Sequence, residues 1–356
     1  MSQQIEIKEQ EAEVKESPEY LRMSLSSAMA LHLRGGRFYR NAKSPCVNLL
    51  MTYNEGCFAN CAYCGLARER SGKYVDKSFI RVEWPVYSLD DIIESIRKYQ
   101  NTEIKRVCIS MVTNHRGPED LVTILSKLRP AIDIPISLLV SPTVISESDL
   151  VNFRDGGADR IGIAVDAATP ELFDQIRGKE ARGPHRWDLY WEKIETAMKI
   201  YGSENVGIHF IVGIGETEKE ICQSIQRVHD MGGSTHLFSF FPESGSRFAG
   251  KPQPPLGQYR RIQLARHLID EGLADMKGFT FDTSDRISDF GLPEDELNRI
   301  IESGKPFHTS GCPGEDGQVA CNRPYANSLP GPNIRNYPFL PRESDIASIK
   351  EQLWTN

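Results

Sequence analysis

The chain has 356 residues, with 42 Lys and Arg against 49 Asp and Glu, a formal net charge of -7 and a pI near 5.7. That length can bury a full core as one large or two ordinary domains, and the acidic balance leaves no electrostatic footprint for nucleic acid or an anionic membrane. No apolar run approaches the ~20 residues that span a bilayer, and Met1-Ser2-Gln3-Gln4-Ile5-Glu6 is polar rather than signal-like, so a cytoplasmic protein with no membrane partner is expected. Eight cysteines are too sparse for a secreted disulfide scaffold and suit metal thiolates in a reducing compartment.

Residues 1–17 read as a polar leader, and 20–33 as a helix ended by Arg34-Gly35-Gly36-Arg37. Short apolar strands follow at 47–53, 106–112, 136–140, 160–165, 206–212 and 236–241, each of the kind buried on both faces of a sheet. Helices intervene. Ser88-Leu89-Asp90-Asp91 and Ser146-Glu147-Ser148-Asp149 are helix starts of the capping-box kind. The alternation predicts an α/β fold in which right-handed crossovers curl a parallel sheet toward a barrel, with functional loops at the carboxyl ends of the strands. After Asp275 the pattern weakens to a short strand-like piece at 279–281, a helix at 293–302 and a Gly/Pro/Asn-rich tail. Three segments are expected: a leader and helix (1–40), the barrel (41–275) and a C-terminal extension (276–356).

The loop leaving the first of these strands carries Cys57-Phe58-Ala59-Asn60-Cys61-Ala62-Tyr63-Cys64, a C-x3-C-x2-C spacing. Four thiolates would saturate a cubane or a zinc ion, whereas three leave one iron open for chemistry. A zinc knuckle completed by a distant histidine is the alternative, but the separated pairs typical of such sites are missing. The spacing resembles the signature of radical S-adenosylmethionine (SAM) enzymes. That resemblance implies a 4Fe–4S cluster whose open iron chelates SAM, and a partial (β/α)6 TIM-like barrel around it. It further implies Tyr63 against the adenine and Asp166, at the end of the fourth strand, on the ribose hydroxyls. Asn114 and His115, after the second strand, fall near the methionine moiety. Gly213, Gly215 and Glu216 fall beside the adenine, although His209 stands where the corresponding G-x-I-x-G-x-x-E segment has its first glycine. From the residues alone, Asp166 can also be read as a helix cap, and Asn114 and His115 as plain loop polarity.

The tail holds Thr309-Ser310-Gly311-Cys312 and Cys321-Asn322-Arg323-Pro324-Tyr325, two cysteines that suggest ligands for a second cluster. Cys46, just ahead of the first strand, and Cys108, inside the second, are further candidates; Ser310 or a histidine could replace Cys108. Cys222 reads as a small core residue. Cys108 resembles the second-strand cluster ligand of biotin synthase. The cysteines of that group on the third and fifth strands are replaced by Ile136-Ser137-Leu138-Leu139 and Val206-Gly207-Ile208-His209. The tail is instead similar to that of the archaeal two-component lipoyl synthases. This implies two 4Fe–4S clusters, one of them a sulfur donor, in a sulfurtransferase of lipoate biosynthesis. Its substrate is an octanoylated lipoyl carrier protein or domain, and it works with a second radical SAM protein and a ferredoxin or flavodoxin-like reductant. Biotin synthase itself, a carbon-skeleton rearrangement and a non-catalytic cluster scaffold are the competing readings. His209 and His236 read as core or catalytic histidines, and Arg323 as a substrate contact or a tether for the tail.

Overall fold

A computed structural model describes residues 15–326 and 328–355. Most of the expected leader, residues 1–14, lies outside the described residues. Eight strands form one sheet, in the order β3 (Val86–Ser88), β1 (Tyr20–Met23), β2 (Cys46–Met51), β4 (Arg106–Ser110), β5 (Ile136–Val140), β6 (Ala158–Asp166), β7 (Val206–Val212) and β8 (Ser234–Ser239). β2 and β4 to β8 pair in parallel and correspond to the six strands expected from the sequence. β1 pairs antiparallel with both β2 and β3. Among the described residues β3 and β8 are not paired with each other, so the sheet curls without closing.

The expected helix over 20–33 is corrected here. Tyr20 to Met23 is strand β1, and the helix, α1 (Leu25–Ala30), begins only after Ser24, whose side chain accepts from the Ser27 amide. Arg22 misleads because a cation in a strand suggests a solvated face. Its guanidinium is buried instead and donates to the carbonyls of Trp84, Tyr74 and Lys77 at 2.9, 3.3 and 2.5 Å.

The crossovers are helical: α2 (Leu89–Tyr99), α3 (Gly117–Leu128), α4 (Glu147–Asp155), α5 (Pro170–Ile176), α6 (Trp187–Tyr201), α7 (Glu218–Asp230) and α8 (Leu256–Asp270). Ser88 and Ser146 cap α2 and α4, as their sequences predict. Alternation divides each strand between two environments. Val47, Leu49, Val107, Ile109, Ile136, Leu138, Ile161, Ile163, Val206 and Ile208 are fully or almost fully buried and form the apolar core toward the helices. The alternate residues face the interior of the curl, and many of them are polar.

The C-terminal part adds the hairpin β9 (Thr280–Phe281) and β10 (Ile287–Asp289), then α9 (Glu294–Glu302) and α10 (Glu343–Leu353). It is fastened by α8, whose polar residues are unusually buried. Arg260 donates to the carbonyls of Ile334 and Arg335, and Arg261 to those of Leu353 and Thr355. Arg261 also forms a two-pronged ion pair with Glu218 of α7, as close as 2.5 Å, with both side chains 5% exposed or less. Removing one partner of such a pair leaves a buried charge uncompensated and costs about 3–5 kcal/mol. Glu218→Ala is therefore expected to lower unfolding free energy by that amount in denaturant titrations.

Candidate active site

A cavity of about 1210 Å3, part of it open to solvent, lies inside the curl at the carboxyl ends of the strands. Cys57, Cys61 and Cys64 all line it. The loop between β2 and α2 holds them there: the Ala62 amide donates to the Ile176 carbonyl and Asn60 Nδ2 to that of Ala181, at 2.7 and 2.8 Å. The Leu66 amide donates to Cys64 Sγ at 3.4 Å. Burial pushes the Cys61 thiol up to about 11, opposed chiefly by the Arg177 cation, and raises Cys64 well above its ordinary value. Among the described residues no three His, Cys, Asp or Glu side chains gather round a single-ion position. Three thiols on one cavity wall suit a cubane, in which each iron takes its own thiolate. The donor set therefore fits a 4Fe–4S cluster with one iron left open.

Asp166 and Tyr63 also line the cavity. Asp166 sits at φ 66°, and its carboxylate accepts from the Tyr63 hydroxyl and from Arg177 Nη1, the latter at 2.8 Å. Burial pushes its pKa up from the ordinary carboxylate value, against the pull of Arg177 and then Tyr63. The helix-cap reading of Asp166 is corrected: the cap of α5 is Thr169, whose side chain accepts from the Leu172 amide. Tyr63, expected to lie against the adenine, has its hydroxyl committed to Asp166. Sequence reasoning missed Arg177, which is 6% exposed and also donates to the Ala164 and Val165 carbonyls and, at 2.9 Å, to the Tyr190 hydroxyl. Its setting at the end of α5 looks like an ordinary helix terminus, so no signal in the sequence marks it. Asp166→Ala is expected to weaken SAM binding by about 1.5–3 kcal/mol, the range for a charge-assisted hydrogen bond. Thr169→Ala should instead cost about 1 kcal/mol of stability and leave SAM binding unchanged, as calorimetry and thermal melts would show.

Five expected SAM contacts do not line the cavity. Asn114 is buried, donating to the Gly56 carbonyl at 3.3 Å and accepting from the Arg116 amide. His115 packs on the Phe58 ring with centroids 5.2 Å apart. Glu216 folds back to accept from the amides of Gly213, Ile214 and Gly215 at 2.6, 3.0 and 3.1 Å, so this carboxylate closes a turn. Gly213, at φ 90°, is needed because a Cβ there would come within 2.4 Å of the Pro254 ring. Ile211, in β7 just ahead of that turn, lines the cavity.

Beneath this cavity lies a second one, of about 530 Å3 and also partly open to solvent, lined by Cys108, Cys312 and Cys321 together with Ser137, His209, His236 and Arg323. Cys46, Cys108 and Cys321 pack as one buried group with Cys312 against it. The sheet register explains half of this convergence. Asn48 is opposite Cys108, and Cys46, two residues before Asn48, shares its face. The tail supplies the rest. Arg106, opposite Cys46, pairs with Asp159 at 2.6 Å and donates to the Pro313 carbonyl at 2.5 Å, which draws Cys312 to the same floor. The Ala320 and Cys321 amides both donate to the Cys312 carbonyl, at 3.0 and 3.1 Å. Cys222 stays apart in α7, in the main apolar core, as expected. Four thiols is the number a saturated cubane takes, and Ser310, the alternative donor, donates to the Thr235 carbonyl at 3.4 Å.

His209, Phe238, Leu139 and Arg323 line both cavities and form the partition between them. The His209 and His236 rings stand on adjacent strands with centroids 5.4 Å apart. They fit because Gly162 and Gly207 lack side chains: a Cβ at Gly207 would lie 2.7 Å from His236 Nε2. Burial lowers His236 to about 3 and His209 well below its ordinary value, so both imidazoles are neutral at pH 7. Arg323 is half-buried, with its guanidinium 5.2 Å from the Phe238 ring centroid.

A parallel curled sheet with three thiols at its carboxyl end defines the chain as a radical SAM protein. It matches the Radical SAM superfamily over residues 51–228 and belongs to that superfamily. It is 28% identical over 125 residues to a GTP 3',8-cyclase of Trichormus variabilis, an alignment that covers 35% of this chain and 36% of the relative. Biotin synthase of Persephonella marina is 22% identical over 208 residues, 58% of this chain and 57% of that protein. The match therefore spans about a third to little more than half the length of these relatives. Among solved structures, methylornithine synthase overlays with a TM-score of 0.50 at 14% identity, covering 69% of this chain and 66% of that one, which shows a common fold. The superfamily implies a 4Fe–4S cluster and SAM. No described helix is long and apolar enough to cross a membrane.

Proposed function

We propose that this radical SAM enzyme is a sulfurtransferase of the lipoyl synthase type, one of two cooperating components that insert sulfur into an octanoyl chain carried on a protein lysine. The observation that carries the reading is the gathering of Cys46, Cys108, Cys312 and Cys321 on the barrel floor, directly below the SAM cavity. When bound, the two clusters supply a hydrogen-abstracting radical, generated from SAM, above the partition and sulfide for carbon–sulfur bond formation below it.

The chain's own residues arrange the encounter. Leu50, Val112, Val140, Ile211 and Phe240 give the upper cavity apolar walls suited to an acyl chain and hostile to water. Arg177, Asp166 and Tyr63 form a prepaid polar network that holds a ribose acceptor in place at the cluster loop. The neutral His209 and His236 put no charge in the path of the chain, and Arg323 sets its cation beside the floor thiols.

The testing experiment supplies an octanoyl-lysine peptide, the partner enzyme and protein reconstituted with isotopically heavy sulfide. Heavy sulfur in the product is expected; light sulfur in the product contradicts the reading. The alignment with biotin synthase supports a second reading, sulfur insertion on the biotin route. Formation of biotin and no lipoyl product in parallel assays would put it first.

A further inference from the structure

Residues 78–82 lie just ahead of one edge strand of the sheet, β3, and reach the other edge. The Arg81 guanidinium stands 4.4 Å from the ring centroid of Phe241, just beyond β8, and its Nη2 donates to the tail carbonyls of Tyr325 and Ser328 at 2.5 and 3.0 Å. Its amide donates to one Glu243 carboxylate oxygen at 2.8 Å, and the Ser78 hydroxyl donates to the other. Arg81 thus latches this strap to the tail. The seam is also strained: Ile80 and Arg81 sit at φ 51° and 65°, and Tyr325 across from them at 58°. A β-branched residue is an outlier in the left-handed region, and such backbone persists only where its surroundings hold it, as at ligand clamps and switch segments.

Between strap and tail lies a third cavity, of about 490 Å3 and partly open to solvent, with Phe79, Val82, Trp84, Pro324 and Tyr325 among its walls. Phe79, Ile80, Ser110 and Arg323 line the upper cavity as well, and Arg323 the floor cavity too, so this branch meets both at the partition. Asn48, another of its wall residues, accepts from Cys321 Sγ at 3.7 Å. A carbon that loses hydrogen to a radical formed above the partition and gains sulfur from below must lie at the partition itself. An acyl chain tied to a protein lysine enters free end first. The branch brings that end to the partition from the side, clear of the Cys57–Cys64 loop.

We infer that this branch seats the octanoyl chain, and that the chain enters by the seam that Arg81 latches. The inference rests on the lipoyl synthase reading for the identity of the chain. Phe79, Val82 and Trp84 give the methylenes apolar neighbours, while the lysyl end stays at the surface. Opening the seam lets Ile80 and Arg81 leave the left-handed region, and that relief offsets part of the loss of the Arg81 hydrogen bonds.

Calorimetry on oxidised, reconstituted enzyme with SAM measures the affinity of an octanoyl-lysine peptide without turnover. Val82→Trp, from the strap, and Ala326→Trp, from the tail, narrow the branch at residues that line neither of the other two cavities. Each is expected to weaken octanoyl-peptide binding about tenfold or more, on the scale of an overpacked site. Binding of a butyryl-lysine peptide should weaken less, with iron content and SAM affinity unchanged. Arg81→Ala, which frees the seam, should speed association of the octanoyl peptide several-fold in stopped flow; an unchanged rate would overturn the seam as the entry. Wild-type octanoyl affinity in both Trp variants would overturn the seat and leave the sulfurtransferase reading standing. A wild-type enzyme that binds SAM but no octanoyl peptide would overturn the reading and the inference together. Ala326→Leu covers the case in which the Trp variants fail to fold: its loss should be smaller, and again greater for octanoyl than for butyryl.

Discussion

Replacing Cys312 and Cys321 together by Ala is expected to remove about four irons from reconstituted protein, leave SAM cleavage intact and abolish sulfur transfer. The two thiols come from a tail that Arg106 holds by the Pro313 carbonyl and α8 holds by its buried arginines. The substitutions remove donors without removing those anchors, so the barrel should stay folded. Two of four thiolates do not hold a cubane, and the loss should be all or none. Iron analysis, 5'-deoxyadenosine formation and product mass spectrometry read the three outcomes separately. If sulfur transfer persisted in the variant, the floor cysteines would not be the source.

Replacing Cys57, Cys61 and Cys64 by Ala should have the opposite signature: SAM cleavage falls to background. The three side chains line the upper cavity beside Asp166, 5'-deoxyadenosine being the product that reports on them. Nothing on the floor can substitute, because His209, Phe238 and Arg323 stand between the two sets of thiols. Undiminished cleavage in this variant would remove the assignment of the primary site. The complementary losses of the two variants would show that the sites are loaded independently.

The scaffold was legible because buried parallel strands are short, apolar and separated by capped helices. All six parallel strands lie within two residues of the expected boundaries, β5 (Ile136–Val140) and β7 (Val206–Val212) matching them. The three-cysteine loop was equally plain, since local spacing is itself the signal. β1 was not, because its stability comes from antiparallel pairing on both sides and from carbonyls that bury Arg22, neither of which is local. Gly213 to Glu216 looked like a ligand turn and is a turn closed on its own carboxylate. Arg177 was invisible because its importance lies in reaching Asp166 across eleven residues of chain, at the end of a helix that seems ordinary. The convergence of Cys46 and Cys108 with the tail follows from strand register and from Arg106, a contact separated by 207 residues.

The most direct measurement of the central claim is iron and acid-labile sulfide quantitation, with Mössbauer spectra, on the anaerobically reconstituted Cys57→Ala/Cys61→Ala/Cys64→Ala protein. With Cys46, Cys108, Cys312 and Cys321 untouched, about four irons should remain, with the spectrum of a 4Fe–4S cluster. A protein that binds no iron once those three cysteines are gone would contradict the account.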